Sequence, residues 1–441
     1  MSIYTSGTTG TPKGVMIEHQ QVVAMASAWN KEYGLDQESI SWLQWASFAF
    51  DVFTGDFVRA LLHGGKLVIC PSQSRLDFGQ IHGLIQQHQI QMFESTPAFV
   101  IPLMEYIYEN KLEVSSLRTL ILGSDQCTPE AFQQLIERYG SQMRILNSYG
   151  VTEACIDSSY FETDDALAFT GLPIGKPLPN VQMYVLNENL SIQPVGIVGE
   201  LFIAGKGVGR GYFNRPELNA EKFVENPFRP EEKMYRTGDL ARWLPDGNIE
   251  FLGRIDDQVK VRGFRIELGE IESKLLTLDV IKEGAVIARE EESGQKQLYA
   301  YVVAEQAVNV GEIRSALSQM LPGYMIPSYF VQVEKMPLTP NGKIDRRALP
   351  YIEGEIQTGT EYVAPRTEAE KKLVEIWQEI LGVQKISIKE NFFDLGGHSL
   401  RATTLVSRLH KEMSVEVSLR SIFQFPTVEK LAEVITQLDQ T

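Results

Sequence analysis

Apolar positions in the first half of the chain follow two alternating periods. Ile81 to Gln87 and Phe132 to Arg138 repeat at helical spacing. Leu67-Val68-Ile69, Thr119-Leu120-Ile121-Leu122 and Met143-Arg144-Ile145-Leu146 are short apolar runs closed by turn residues. The first pattern predicts helices, the second buried strands, and their alternation an α/β layer. From about Asn180 the helical period vanishes, and Met183–Leu186 and Gly199–Gly205 read as strands of a more antiparallel unit. Beyond Gly253, the segments Glu267–Leu276 and Glu312–Met320 read as helices and Gly284–Ile287 and Leu298–Val303 as strands. That is the pattern of a small α+β domain closing near Pro350. Tyr351 to Pro365, with Gly354 and Gly359, reads as a polar linker.

The last stretch is helical. Thr367-Glu368-Ala369-Glu370 is a capping box. Leu373, Ile376, Trp377, Ile380 and Leu381 then form one apolar stripe. Leu400–Leu409 predicts a second helix, and Val428, Leu431, Ile435 and Leu438 a final one. Roughly 75 residues suffice for a compact four-helix bundle. The expected organisation is an α/β core over 1–253, a small α+β domain over 254–350, a linker over 351–364 and a helical bundle over 365–441.

With 441 residues there is room for two to four domains, each with its own core. A net charge of -16 argues against a nucleic-acid or anionic-membrane surface, both of which call for basic patches. No apolar run is long enough to span a bilayer, and no signal-peptide pattern opens the chain. Cys70, Cys127 and Cys155 are scattered, which predicts a reducing, cytoplasmic setting without a disulfide framework. Six histidines without paired Cys/His spacing give no structural zinc pattern.

Two segments carry candidate chemistry. Tyr4-Thr5-Ser6-Gly7-Thr8-Thr9-Gly10-Thr11-Pro12-Lys13-Gly14 is rich in glycine and hydroxyls and ends on a lysine. Glycines let backbone approach phosphate oxygens, and the hydroxyls and Lys13 supply donors and charge. The spacing is not that of a Walker loop, because Lys13 precedes glycine. Only Met1-Ser2-Ile3 stand ahead of the loop, so the sequence predicts a missing upstream portion. The second segment, Asn391 to Leu400, places Ser399 after a Gly396-Gly397 turn at the start of a helix. A helix N-terminus favours an attached phosphodiester.

With these segments in place, the chain resembles the adenylate-forming superfamily, and within it the adenylation domains of nonribosomal peptide synthetases fused to a peptidyl carrier domain. The further motifs are Asn147–Glu153, Gly199-Glu200-Leu201, Tyr235–Leu240, Gly253–Asp256, Gln258–Arg265, Leu321–Pro327 and Asn341–Arg346. One departure is Val151, where the family usually has proline. The resemblance implies a multidomain fold: a partial α/β adenylate-forming large domain, a small α+β subdomain and a four-helix carrier bundle. It implies a nucleotide site of Thr5, Ser6, Gly7, Thr8, Thr9, Gly10, Lys13, Tyr149, Thr152, Asp239 and Arg254. Glu153 is expected to hold Mg²⁺, Lys343 to stabilise charge as the carboxylate attacks ATP, and Asp256 to act as the hinge. Ser399 is expected to carry 4'-phosphopantetheine, added by a separate phosphopantetheinyl transferase. Neighbouring condensation or thioesterase domains are the implied partners.

The resemblance also marks the substrate pocket: Asp51, Val52, Gly55, Glu94, Ile121, Gly123, Ser148, Ile156 and Asp157. Asp51 is expected to pair with the substrate α-ammonium. Glu94 and Asp157 then remain as carboxylates that are costly to bury unpaired. A cationic substrate side chain satisfies both, and Gly55 and Gly123 leave it room; a protein cation would satisfy them as well. The combination resembles ornithine-activating modules of gramicidin S and tyrocidine type synthetases. Rival readings are a lysine-activating domain, an acyl-CoA ligase or luciferase-like enzyme, and a fragment with carrier function only.

Overall fold

The computed structural model describes residues 1–441 except 7–11, 76, 164–170, 257, 262, 291–295, 339–343, 351–361, 384, 394, 398, 414, 416 and 439–441. The alternating first half builds a parallel sheet. Strands Ser41–Gln44, Lys66–Ile69, Met92–Ser95, Thr119–Leu122 and Arg144–Tyr149 run parallel. Helices Asp51–Leu61, Phe78–His88, Pro97–Glu109 and Pro129–Tyr139 connect them in turn. Two of these begin at a proline, which has no N–H to orphan there. Asp77 and Thr128 cap helices by accepting from the amides of Gln80 and Ala131.

Beyond Tyr149 the same sheet turns antiparallel. Strands Ser159–Phe161, Pro173–Pro177, Ile249–Arg254, Lys233–Trp243, Gly199–Gly205 and Val181–Leu186 extend it to twelve strands, with Phe223–Glu225 paired alongside Lys233–Trp243. The loss of helical period near Asn180 marks this change.

The pleat sorts side chains between two cores. Trp42, Met92, Ile121 and Leu146 pack on one face, and Leu43, Phe93, Leu120, Leu122 and Ile145 on the other. Glu94 is two residues past Met92 and Ser148 two past Leu146, so both lie on the first face, near the strands' C-terminal ends.

The hydroxyl-rich loop has a sheet behind it. Ser2–Thr5 pairs antiparallel with Lys13–Met16, which also pairs with Gly211–Tyr212. In this hairpin Thr5 stands opposite Lys13.

The chain divides into two compact units that meet in sequence at Glu267 and Leu268. The hairpin Gln258–Val261/Phe264–Glu267 closes the first. In the second, Glu283–Glu290 pairs antiparallel with Lys296–Val303, which pairs parallel with Tyr329–Gln332. Helices Glu368–Leu381, Ser399–Met413, Leu419–Gln424 and Val428–Leu438 form the bundle. Its capping box is complete, Thr367 and Glu370 exchanging side-chain to backbone bonds. Trp377 meets Phe392 edge-on at 4.9 Å in its core. The six-residue helix Leu419–Gln424 escapes sequence reading because it is too short to show a period.

Candidate active site

The pocket residues converge at the carboxyl ends of the parallel strands, the usual binding crevice of open α/β sheets. Glu94 lies beside Ile121, which lies beside Leu146, in consecutive strands. Gly123 follows one strand end, and Ser148 and Tyr149 close the next. Asp51 opens helix Asp51–Leu61, with Val52 and Gly55 in its first turns. Burial pushes the Asp51 carboxyl above its usual range, against a lowering hydrogen bond from Thr152. Ile156 has φ +79 and sets Asp157 back toward the pocket, where Ser148 Oγ donates to Asp157 Oδ1 at 2.9 Å.

Glu94 and Asp157 already share a protein cation. Arg59, fully buried, donates from Nη1 to Glu94 Oε2 and from Nη2 to Asp157 Oδ2. Asp56 adds a third carboxylate, 3.7 Å from Nη1. Two tryptophans frame the group: Trp29 Nε1 donates to Asp157 at 2.9 Å and Trp42 Nε1 to Asp56 at 2.8 Å. Their rings stack on the guanidinium, with centroids 4.2 and 5.2 Å away. Of the two partners the sequence left open for these carboxylates, a substrate cation and a protein cation, Arg59 is the second. The glycines, for their part, do not stand beside empty space. A Cβ at Gly55 would meet the Arg59 guanidinium at 3.2–3.3 Å, and one at Gly123 would meet Glu94 Oε1 at 3.0 Å. Their space is taken up by Arg59 and Glu94.

The cluster holds three carboxyl groups against one guanidinium, and the carboxyls in excess are displaced toward their protonated forms. Burial, opposed by Arg59 and aided by Asp157, leaves the Glu94 carboxyl raised to about 7. Burial and Glu94 together hold Asp56 well above the normal carboxylate range. Sequence reading missed Arg59 and Asp56. The signal was an Asp–Arg pair at i, i+3 on a helix face that also carries Gly55 and Val58.

On the nucleotide side, Asp239 and Arg254 are cross-strand partners joined by an ion pair. Tyr149 Oη also donates to Asp239, which aligns the expected adenine and ribose residues. Gly238 stands at φ +75, and a Cβ there would lie 2.9 Å from Arg254 Nη2. Arg254 also grips Asp256 in a fork, at 2.6 and 2.7 Å. Val151 adopts φ -133, a value the proline ring does not reach, so this loop takes a path proline forbids.

Glu153 is fully buried and bridged by two cations. Arg265 Nη1 reaches its two oxygens at 2.9 and 2.7 Å, and Lys13 Nζ stands 4.0 Å away. Tyr212 Oη donates to it at 2.6 Å. Burial alone would raise this carboxyl, but Arg265 and Lys13 bring it down to about 2. Lys13 is itself lowered to about 8 by burial and by Arg265. Ser6 Oγ donates to the Arg265 carbonyl at 2.7 Å, tying the loop to the same strand. Arg265 was not among the predicted site residues. Gly7, Thr8, Thr9, Gly10 and Lys343 lie outside the described residues. Ser399 is the first residue of helix Ser399–Met413, after Gly396 at φ +86.

A carboxylate-ended strand crevice, a cross-strand Asp–Arg pair and a serine opening a carrier-like bundle fit an adenylate-forming enzyme joined to a carrier domain. Residues 1–213 match the AMP-binding enzyme family, 270–343 the AMP-binding enzyme C-terminal domain, and 371–435 the phosphopantetheine attachment site. The chain is 59% identical over 439 residues to gramicidin S synthase 2 of Brevibacillus brevis, covering 99% of this chain and 10% of that protein. It is 54% identical over 437 residues to tyrocidine synthase 3 of Brevibacillus parabrevis, covering 99% and 7%. A solved NRPS protein containing adenylation and PCP domains, bound to a vinylsulfonamide inhibitor, superposes with a TM-score of 0.82. That match has 26% identity and covers 99% of this chain and 72% of the other. The chain belongs to the nonribosomal peptide synthetase family and spans about a tenth of the length of its curated relatives.

Members of this class use ATP and Mg²⁺ and a covalent phosphopantetheine arm. Glu153 suits a hard cation that takes one protein carboxylate and completes its shell with phosphate oxygens. Its buried, ionised carboxyl fits that use, with Arg265 on both oxygens as the competing cation. Among the described residues there is no group of three or more His, Cys, Asp or Glu that could hold a metal alone. No helix among them is long and apolar enough to cross a membrane, and the three cysteines are buried and free.

Proposed function

We propose that this chain activates a cationic α-amino acid, L-ornithine, as its adenylate and loads it on the carrier at Ser399. The observation that carries the substrate class is the buried excess of carboxylates: Asp56, Glu94 and Asp157 against Arg59. Asp51 stands apart at the helix start, where it holds the α-ammonium. A substrate ammonium beside Glu94 then restores the balance that one guanidinium leaves short. The pocket residues Val52, Gly55, Ile121, Gly123, Ser148 and Ile156 shape the walls. Lysine differs from ornithine by one methylene, worth about 1–3 kcal/mol of discrimination.

In the first reaction a carboxylate oxygen of the amino acid attacks the α-phosphorus of ATP and pyrophosphate leaves. Tyr149, Thr152, Asp239 and Arg254 orient adenine and ribose, while Thr5 to Gly10 and Lys13 line the phosphates. Lys343 stabilises the charge that develops on the transferring group. Glu153 positions the metal. When bound, the metal would offset phosphate charge, and the phosphopantetheine arm would supply the thiol that takes the acyl group from the adenylate, with AMP leaving and the thiol proton released. Asp256 is the hinge between the two reactions. A phosphopantetheinyl transferase and neighbouring condensation or thioesterase domains are the partners.

Arg59 supports a second reading. With one cation already in the cluster, a neutral polar side chain that donates to Glu94 could be held there. Amino-acid-dependent ATP–pyrophosphate exchange with ornithine, lysine, arginine, glutamine and phenylalanine separates the two. Ornithine leading supports the cationic reading; glutamine leading with ornithine silent overturns it.

A further inference from the structure

We propose that Arg59 is a specificity-determining residue, a resident cation that forms the floor of the side-chain pocket and limits how long a substrate cation can be. The inference rests on the cationic-substrate reading above. Its geometry comes from one helix face. Asp51, Gly55 and Arg59 are spaced i, i+4, i+8 on helix Asp51–Leu61, so they stack along it one turn apart. A helical side chain leans back over the preceding turn. The Arg59 guanidinium accordingly lies beside Gly55, 3.2–3.3 Å from where a Cβ would stand there. The α-ammonium anchor at Asp51 and the floor at the level of Gly55 are thus about one turn, ~5.4 Å, apart along the helix.

The floor is fixed rather than adaptable. Arg59 is sandwiched by Trp29 and Trp42 and held by Glu94, Asp157 and Asp56. Yet the group is not saturated. Neither Arg59 Nε nor Asp56 Oδ2 has a hydrogen-bond partner among the described residues. Glu94 uses Oε2 for Arg59, while Oε1 faces the space beside Gly123. A short substrate cation reaches Oε1 and stops against the like charge of Arg59. A longer one must approach that guanidinium more closely, and the repulsion rejects it. This is discrimination by a repulsive element built into the site.

The test is the ratio of kcat/KM for lysine over ornithine in pyrophosphate exchange, measured for the full chain and for Arg59→Met and Arg59→Lys. Arg59→Met keeps the stem and removes the cation. It is expected to raise the ratio at least tenfold and to admit arginine. Arg59→Lys, which keeps a charge, is expected to shift the ratio less. A merely structural Arg59 would lower all substrates together and leave the ratio flat, which overturns the assignment. Should Arg59→Met fail to fold, Arg59→Gln, which also removes the cation, supplies the same ratio, and an unchanged value there is equally fatal. The wild-type profile reports separately on the substrate reading. If wild type takes a neutral acid only, that reading falls, and the Arg59 assignment then predicts that Arg59→Met gains a cationic one.

Discussion

Arg265 Nη1 donates to both carboxylate oxygens of Glu153, at 2.9 and 2.7 Å. The oxygens expected to face the metal are therefore already engaged by a guanidinium, and the two cations compete. Arg265→Gln is expected to lower the Mg²⁺ concentration that half-saturates pyrophosphate exchange by about tenfold, given ~1.5–3 kcal/mol for a charged hydrogen bond. Glu153→Gln is expected to raise that requirement and to cut kcat/KM by about a hundredfold or more. A Mg²⁺ titration of the two variants checks both, and an unchanged half-point in Arg265→Gln would show that the guanidinium does not compete.

Glu94 sets a pH dependence. Its carboxyl is raised to about 7, first by burial. Below that value it is protonated and attracts a substrate cation less. KM for ornithine is expected to rise as pH falls from 8 to 6, by up to about tenfold per unit below the pKa, with kcat less affected. Glu94→Gln should flatten the profile. For stability the sign runs the other way. An acid with its folded pKa above its unfolded one makes the native state bind more protons in between. Its contribution therefore falls as pH rises from about 4.5 to about 7 and is level above. Thermal melts of wild type and Glu94→Gln across this range should converge toward low pH.

Gly150 separates Tyr149, proposed to face adenine, from the turn that carries Glu153. A Cβ there would stand 1.7 Å from the carbonyl oxygen of Ile156. Backbone cannot step aside as a flexible side chain does, so Gly150→Ala is expected to cost about 3 kcal/mol or more, or to prevent folding of this region. Denaturant unfolding monitored by tryptophan fluorescence measures it, and a change under 1 kcal/mol (roughly, surface-like) would mean that the loop has another path.

At the carrier, Ser399→Ala is expected to abolish the mass increment seen by mass spectrometry after incubation with coenzyme A and a phosphopantetheinyl transferase. Persistence of that increment would place the attachment elsewhere. Glu370→Ala tests the bundle instead. Glu370 accepts from the Thr367 amide and pairs with Arg366 at 2.7 Å, so its loss should lower bundle stability by about 1 kcal/mol.

Strands and helices with a clear period were legible in the sequence, down to Thr119–Leu122 and the capping box at Thr367. The pocket was legible only in outline. Glu94 and Asp157 do meet, both on Arg59, but the charge argument built on them preferred a substrate cation to a protein one. Arg59 lies eight residues along the helix from Asp51 and far in sequence from Asp157. Burial of a guanidinium is a tertiary fact, decided by Trp29 and Trp42 from other elements. Arg265 was hidden for the same reason, since its partner Glu153 is 112 positions away. Periodicity reports which face a residue takes, not which charge it will meet there.

The sharing of Arg59 between the carboxylates of a strand and of a loop has a consequence for how this pocket can change. Replacing Glu94 or Asp157 singly strips the arginine of a counter-charge, and replacing the arginine alone exposes the acids to one another. Each single step passes through a buried, uncompensated ion, which is costly. A lineage moving to a different amino acid would have to alter residues of a helix, a strand and a loop together. Exchange of a whole segment achieves this where point substitution stalls.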